Sequence, residues 1–386
     1  MLAGCAAVPR GWEWVSLGDV ATMQSGGTPP TSVSRFYGGD IPWASIADMT
    51  SVAKYLKKTD RSLSHAGLIG SSAHVLPAGT VLYAMYASLG ECVIASEPMA
   101  TSQAILGIQP GPKLNPEFLY YVLDSIRSEV RTKGQTGTQA NLNKEMVQGF
   151  RIPLPPLPEQ RAIAAALADA DEWVASLDAR IRKQQLLAVG MRQRLVHGLA
   201  RLPGFNEQWA DLAIGELLAI RHGRSQAQVA TSAGPYPILA TGGEIGRASE
   251  YLHPGPSVLI GRKGTIDRPQ FMDTPFWSVD TLFYTEIGPG HDARFIYYLF
   301  CDIDWSRYNE ASGVPSLNST TIERIRVRVP PRAEQVAIAA VLHDIDTELA
   351  DLRAKRRKAD LIREGMVQAL LSGDVRLPPT DQDRVA

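Results

Sequence analysis

The segment PLPEQRAIAAAL, Pro156 to Leu167, returns at Pro331 to Leu342 as PRAEQVAIAAVL, with eight of twelve positions identical at an offset of 175. Each copy opens a run that constrains the fold more tightly than anything else in the chain. In the first run Ile163, Leu167, Ala170, Val174, Leu177, Ile181, Ala188, Met191 and Leu195 recur at alternating steps of four and three once Gln184 is counted. In the second, Ile338, Leu342, Ile345, Leu349, Leu352, Ala359, Met366 and Leu370 do the same, interrupted by Arg356 and Arg363. That stepping is the seam of a coiled coil rather than the broader stripe of a surface helix. Proline stands just ahead of Glu159, an acid that complements the dipole of a first helical turn, and Gly198 and Gly373 are matched stops. Each helix is expected to run for about 38–40 residues, roughly 60 Å at ~1.5 Å per residue. Polar residues in the seam cost stability but fix register and partner.

The repetition is not confined to the helices. SLGDVATMQSGG after Trp14 resembles AIGELLAIRHGR after Trp209, and VLYAMYASLG (Val81 to Gly90) aligns with VLIGRKGTID (Val258 to Asp267). FLYYVL (Phe118 to Leu123) matches FIYYLF (Phe295 to Phe300), and QANLNKE parallels PSLNSTT with Leu142 and Asn143 paired to Leu317 and Asn318. The chain is therefore a tandem duplication. Glycine, proline, threonine and short β-branched runs give each globular part a mixed character of short strands and long loops. The expected organisation is a first globular domain over 1–157, a long helix over 158–200, a second globular domain over 201–332, a second long helix over 333–374 and a tail over 375–386. The fold class is α+β, a tandem repeat of two mixed α/β domains joined by two long antiparallel helices.

The antiparallel sense follows from chain length. A compact domain of ~125 residues is roughly 35–40 Å across, too small to carry the chain 60 Å back to the start of the first helix. The second helix is thus expected to begin near the end of the first, with the globular parts at opposite ends of the rod.

Chemistry is conspicuous by what is missing. The sequence has no G-x-G-x-x-G, no G-K-[ST], no H-E-x-x-H, and no lysine preceded two positions earlier by Asp or Glu. The tetrapeptides N-P-P-[FY] and D-P-P-Y, which surround the target nitrogen in amino-methyltransferases, are also lacking. His197 falls at a helix end and His343 within a heptad, as expected of solvated or capping residues. No nucleophile–base set stands out, so a binding protein is expected, with no catalytic residue and no metal site. Cys5, Cys92 and Cys301 lie far apart, in keeping with a reducing compartment. LAGC at Leu2 to Cys5 has the form of a lipoprotein cleavage box, but no charged region or apolar stretch precedes it, and the expected location is cytoplasmic. No stretch is apolar enough for a membrane span. The formal net charge of −1 offers no long-range attraction to a polyanion.

At this point the residues carry a family resemblance. SGGTPP with GGDIPWASIAD, GRKGTIDRPQF with PFWSVDTLFY, and the helix openings PLPPLPEQRAIA and PPRAEQVAIA resemble the specificity subunit of type I restriction–modification systems across both repeats. The resemblance implies that each globular domain is a target-recognition domain reading one half of a split site in double-stranded DNA. It implies that the coiled coil sets the gap and docks two methylation subunits, which bind S-adenosylmethionine. Restriction subunits using ATP and magnesium would complete the assembly, and no cofactor would belong to this chain. Partner subunits encircling the DNA would supply most phosphate contacts, which accommodates the near-neutral charge. The competing expectation is a coiled-coil scaffold or adaptor whose end domains bind protein partners.

Base reading calls for side chains with paired donors and acceptors. In the second domain these are Arg262, Lys263, Arg268 and Gln270 around the turn GRKGT, with His222 and Arg224 in HGRS and Ser316 and Asn318 in PSLN. In the first they are Gln135, Thr138, Gln139, Asn141, Asn143 and Lys144 in one glycine-bearing loop, and Ser25 and Thr28 in SGGTPP. For the GRKGT turn the alternative is an ordinary charged hairpin tip, and for the glycine-bearing loop a solvated loop. The coiled-coil interface is expected to take Ile163, Leu167, Val174, Leu177, Ile181, Met191 and Leu195 from the first helix. From the second it takes Ile338, Leu342, Ile345, Leu349, Leu352, Met366 and Leu370.

Overall fold

The computed structural model describes residues 9–136 and 141–378, the side chains of 133–136 excepted. They form two compact units, Met1–Ser176 with Arg356–Ala386, and Leu177–Lys355. The long helices run Leu157–Val196 and Arg332–Ser372, 40 and 41 residues, and each unit takes a part of both.

In the first unit, β1 (Glu13–Ser16), β2 (Ala21–Ser25), β3 (Val81–Ala84), β4 (Cys92–Ala95), β5 (Ile105–Pro110) and β6 (Arg151–Leu154) make the frame. The central sheet has the order β2-β5-β3-β4 with Tyr55–Leu56 at its edge, while β1 pairs antiparallel with β6. The central strands β3 and β4 are apolar on both faces because both are covered. One face packs Val81, Tyr83, Leu106 and Ile108 against Phe118, Leu119 and Val122 of the helix Pro116–Ser125. Ile163 and Leu167 from the first long helix and Leu370 and Leu371 from the second close the same core. The other face packs Leu82, Ala84, Val93 and Ile105 with Met49, Leu56 and Leu76.

The second unit repeats the plan with β7 (Ala210–Ala213), β8 (Leu218–His222), β9 (Ser257–Gly261), β10 (Gln270–Met272), β11 (Leu282–Ile287) and β12 (Arg326–Val329). Its sheet order is β8-β11-β9-β10, and β7 pairs with β12 as β1 does with β6. Val258, Ile260 and Phe283 pack on Phe295, Ile296 and Leu299, with Leu195, Ile338 and Leu342 from the long helices. In each unit the start of one long helix meets the end of the other, so the pairing is antiparallel. Ile163, Leu167, Leu177, Leu195, Ile338, Leu342, Leu349, Leu352 and Leu370 are buried, and Val174, Ile181, Ile345 and Met366 are half-buried. Met191 departs from the expectation: it is exposed, although the next seam residue, Leu195, is buried.

Two polar interruptions of the seam have partners on the facing helix. Gln184 Nε2 donates to Glu348 Oε2 at 2.8 Å in the second unit, and Arg363 pairs with Asp171 in the first. The recurrent Glu-Gln also has a purpose beyond a helix dipole. Glu334 accepts from Arg201 Nε at 2.6 Å, Arg201 Nη2 at 2.7 Å and Trp209 Nε1 at 3.1 Å. Glu159 accepts from Arg376 at 2.6 and 2.7 Å and from Trp12 Nε1 at 3.0 Å. Thus the ARLP and VRLP segments that follow each helix return an arginine to the glutamate that opens the other. The adjacent glutamines bind main chain: Gln160 accepts from Asn115 N at 2.8 Å and Gln335 from Asp292 N at 2.9 Å, the N-caps of Pro116–Ser125 and Ala293–Asp302. Burial raises the Glu159 carboxyl, but the hydrogen bonds from Arg376 and Trp12 outweigh it and hold the carboxyl below the usual glutamate value.

Candidate nucleic-acid interface

The second domain gathers residues from three separate loops into one cleft. Its volume is about 410 Å³, and His222, Arg262, Lys263, Glu310, Ser316 and Asn318 are among its lining residues. The strand order explains the meeting. β8 ends at His222 beside the start of β11, and β9 on the other side of β11 runs out into the GRKGT turn. The turn is fixed by main chain: Arg262 N donates to Thr281 O at 2.8 Å, Gly264 N to Pro315 O at 2.8 Å, and Leu317 N to Arg262 O at 2.9 Å. Gly264 has φ of 100°, a conformation open to glycine and costly for other residues. Arg262 Nη1 holds Asp280 O at 3.2 Å, and the His222 ring stands edge-on to Phe283 at 4.9 Å. Glu310 brings an acceptor among these donors and takes the Thr321 hydroxyl at 2.6 Å. A phosphate offers acceptors only, whereas base edges present donors and acceptors side by side. The cleft holds donors and an acceptor together.

The first domain holds the same framework with different side chains. Met85 N donates to Ala104 O at 2.9 Å and Leu142 N to Met85 O at 3.0 Å, the counterparts of the Arg262–Thr281 and Leu317–Arg262 bonds. Gly26 N to Ile105 O at 3.0 Å and Gly223 N to Leu282 O at 3.3 Å are likewise a matched pair. Ser25 is exposed at the end of β2, where His222 stands in the other domain, and Asn141 and Lys144 flank Leu142.

Other expected base readers have structural employment. Asn143 accepts from Met146 N at 2.8 Å and Asn318 from Thr320 N at 2.9 Å, so both are N-caps of short helices, Lys144–Gln148 and Ser319–Glu323. In each, the side-chain oxygen is engaged by main chain. Gln270 Nε2 donates to Ala240 O at 2.8 Å and ties β10 to the strand Tyr236–Ala240. The Thr28 hydroxyl bonds Gln103. Arg224 and Arg268 are exposed but outside the cleft's lining. Thr138 and Gln139 lie outside the described residues, as does the side chain of Gln135. Sequence reasoning passed over Glu310, whose signal was only its place six residues before Ser316, and over the hairpin Met85–Ala87. Among the described residues no group of three or more His, Cys, Asp or Glu is placed to hold a metal, and no helix is long and apolar enough to cross a membrane.

Comparison with known proteins agrees with the geometry. The sequence profile for the type I restriction modification DNA specificity domain matches residues 9–186 and again 206–361. The chain is 23% identical to the EcoprrI type I restriction enzyme specificity subunit of Escherichia coli, over 87% of this chain and 88% of that one. It is 28% identical to the MjaIX specificity subunit of Methanocaldococcus jannaschii, over 43% of this chain and 39% of the relative. Among solved structures, the type I restriction-modification S subunit from M. genitalium superposes with a TM-score of 0.63 at 16% identity, covering 96% of this chain and 98% of that one. At that identity the match speaks for the fold alone.

Proposed function

The chain belongs to the type I restriction–modification DNA specificity family, and from that membership we propose a division of labour among its parts. It recognises DNA sequence; each globular domain reads one half of a bipartite site at the same end of its central sheet, the second through its cleft. The observation that carries this is the convergence of His222, Arg262, Lys263, Glu310 and Ser316 in one cleft, on a main-chain framework that the first domain shares. An adaptor for protein partners is not favoured, since the family is one of DNA specificity domains.

The chain acts as a non-catalytic subunit in the cytoplasm. The paired helices set the spacing of the half-sites and dock two methylation subunits, which carry S-adenosylmethionine; ATP and magnesium serve restriction subunits. In support, Leu186 and Leu187 on the first long helix and Leu361 on the second are 76%, 55% and 69% exposed, outward apolar surface of the kind that marks interaction sites. The test is methylation-site mapping with the cognate methylation subunit. Replacing Arg262 and Lys263 by alanine is expected to relax one half-site by about 1–3 kcal/mol per lost base contact and to leave the other half intact. Equal loss of discrimination in both halves would refute the assignment.

A further inference from the structure

The duplicated framework assigns a function to a residue that no donor–acceptor criterion selects. Met85, Tyr86 and Ala87 occupy the places of Arg262, Lys263 and Gly264, as the matched bonds of Met85 and Arg262 establish. Met85 is buried, so Tyr86 is the first side chain of this hairpin to reach outward, and it is 38% exposed. The turn after it is unusual. Ala87 has φ of 59°, the sole non-glycine residue with positive φ among those described, while its counterpart Gly264 has φ of 100°. Alanine is sterically disfavoured there and persists only where the surroundings over-determine the turn. Here Met85 N is held by Ala104 O, Met85 O by Leu142 N, and Gly90 N donates to Ala84 O at 3.2 Å. The ring is thus presented from a hairpin pinned on both sides. Asn141 is exposed on the neighbouring strand of chain, one residue before the Leu142 that bonds Met85.

We propose that Tyr86 is a specificity-determining residue of the first domain, its ring making apolar contact with a thymine methyl while the Asn141 amide reaches the adenine of the same A·T pair. This rests on the cleft reading given above. An exposed aromatic ring on a fixed hairpin offers what the C5-methyl of thymine requires, and an Asn amide is the natural partner of the adenine N6 and N7 edge. The second domain, with Arg262 and Lys263 at the same place, presents guanine-type donors instead. The two domains would therefore read different chemistry from one position of one framework.

The experiment maps methylated sites for the chain assembled with its cognate methylation subunit, comparing Tyr86→Ala, Tyr86→Phe and the Arg262→Ala/Lys263→Ala double variant. Because Tyr86 lies outside the core, its variants should unfold at the midpoint of the parent. Tyr86→Ala is expected to reduce discrimination about tenfold or more at one A·T position of one half-site, and Tyr86→Phe to preserve it. If the double variant relaxes its half-site and Tyr86→Ala changes neither half, the inference fails and the cleft reading survives. If neither variant relaxes any position, both fail together. Three further results overturn the inference: uniform loss of methylation without a change of preference, relaxation at a G·C position, or Tyr86→Phe behaving as Tyr86→Ala.

Discussion

Replacing Arg201 by alanine isolates the contribution of the glutamate–arginine contact to the second unit. Glu334 is 1% exposed, and Arg201 supplies two of its three hydrogen bonds. Removing one member of a buried ion pair costs about 3–5 kcal/mol, because the other charge is left buried without compensation. Water reaches part of the Arg201 side chain and Trp209 Nε1 stays bound to the carboxylate, which pulls the figure to the lower end. The lost bond from Arg201 Nη2 to Glu207 O at 3.0 Å adds back a contribution of about 1 kcal/mol. The expected cost is therefore about 3 kcal/mol. Glu334→Gln removes the buried charge and leaves Arg201 half in solvent, so it should cost less, about 1–2 kcal/mol. The double variant should be no less stable than Arg201→Ala alone, since its penalty is the stranded carboxylate. Native-state hydrogen exchange of amides in β7, β8 and the start of the second long helix reads this locally; 3 kcal/mol corresponds to a rate increase of about 100-fold. A cost under about 0.5 kcal/mol, with the two substitutions simply additive, would show that the contact behaves as an exposed surface ion pair.

The chain purified without partners is expected to transfer no methyl group even with S-adenosylmethionine supplied, and incorporation of labelled methyl into DNA by the chain alone would overturn the proposed non-catalytic role. Acidification tests the first unit: the depressed Glu159 carboxyl contributes stability that is present above the ordinary glutamate value of 4.5 and lost as pH falls through the lowered folded value. Exchange protection around Glu159 should therefore drop below about pH 4.5, and Glu159→Gln should flatten that drop; a drop unchanged by the substitution points to other carboxylates. A fragment of residues 1–204 retains one globular domain, one complete helix, Glu159 and Arg201. It is expected to sediment as an antiparallel homodimer in which Arg201 of each copy takes the place of Arg376 on the other's Glu159, and a stable monomer would refute the pairing.

The parts of the fold legible in the sequence are those with a period. Steps of four and three named the seam, and an offset of 175 named the duplication, because both leave marks at fixed intervals. The contacts between Glu159 and Arg376 and between Glu334 and Arg201 span 217 and 133 residues and leave no such mark. A lone Glu in a first helical turn is adequately explained by the helix dipole, so nothing in the local pattern asks for a distant arginine. What could have exposed it is that both ends of the contact are duplicated: the two glutamates and the two arginines each share the offset of 175.

At the candidate site residue type is ambiguous for a related reason. Asn and Gln were chosen for the donors and acceptors they bring to a base, yet the same groups serve equally well against backbone. Asn143 and Asn318 directly precede the helical turns KEMVQ and STTIE, where an Asn carbonyl caps a helix, and the cap was visible in the pattern had it been weighed against the base. His222, Lys263 and Ser316 were chosen from loops far apart in sequence, and only the order of β8, β11 and β9 brings them to one cleft. Since hydrogen bonds made by main chain are indifferent to side-chain identity, the duplication could keep Arg262–Thr281 and Met85–Ala104 while everything projecting from them diverged. A fold held this way lets one half of a recognition sequence change without disturbing the other, which is what a two-domain reader of split sites requires.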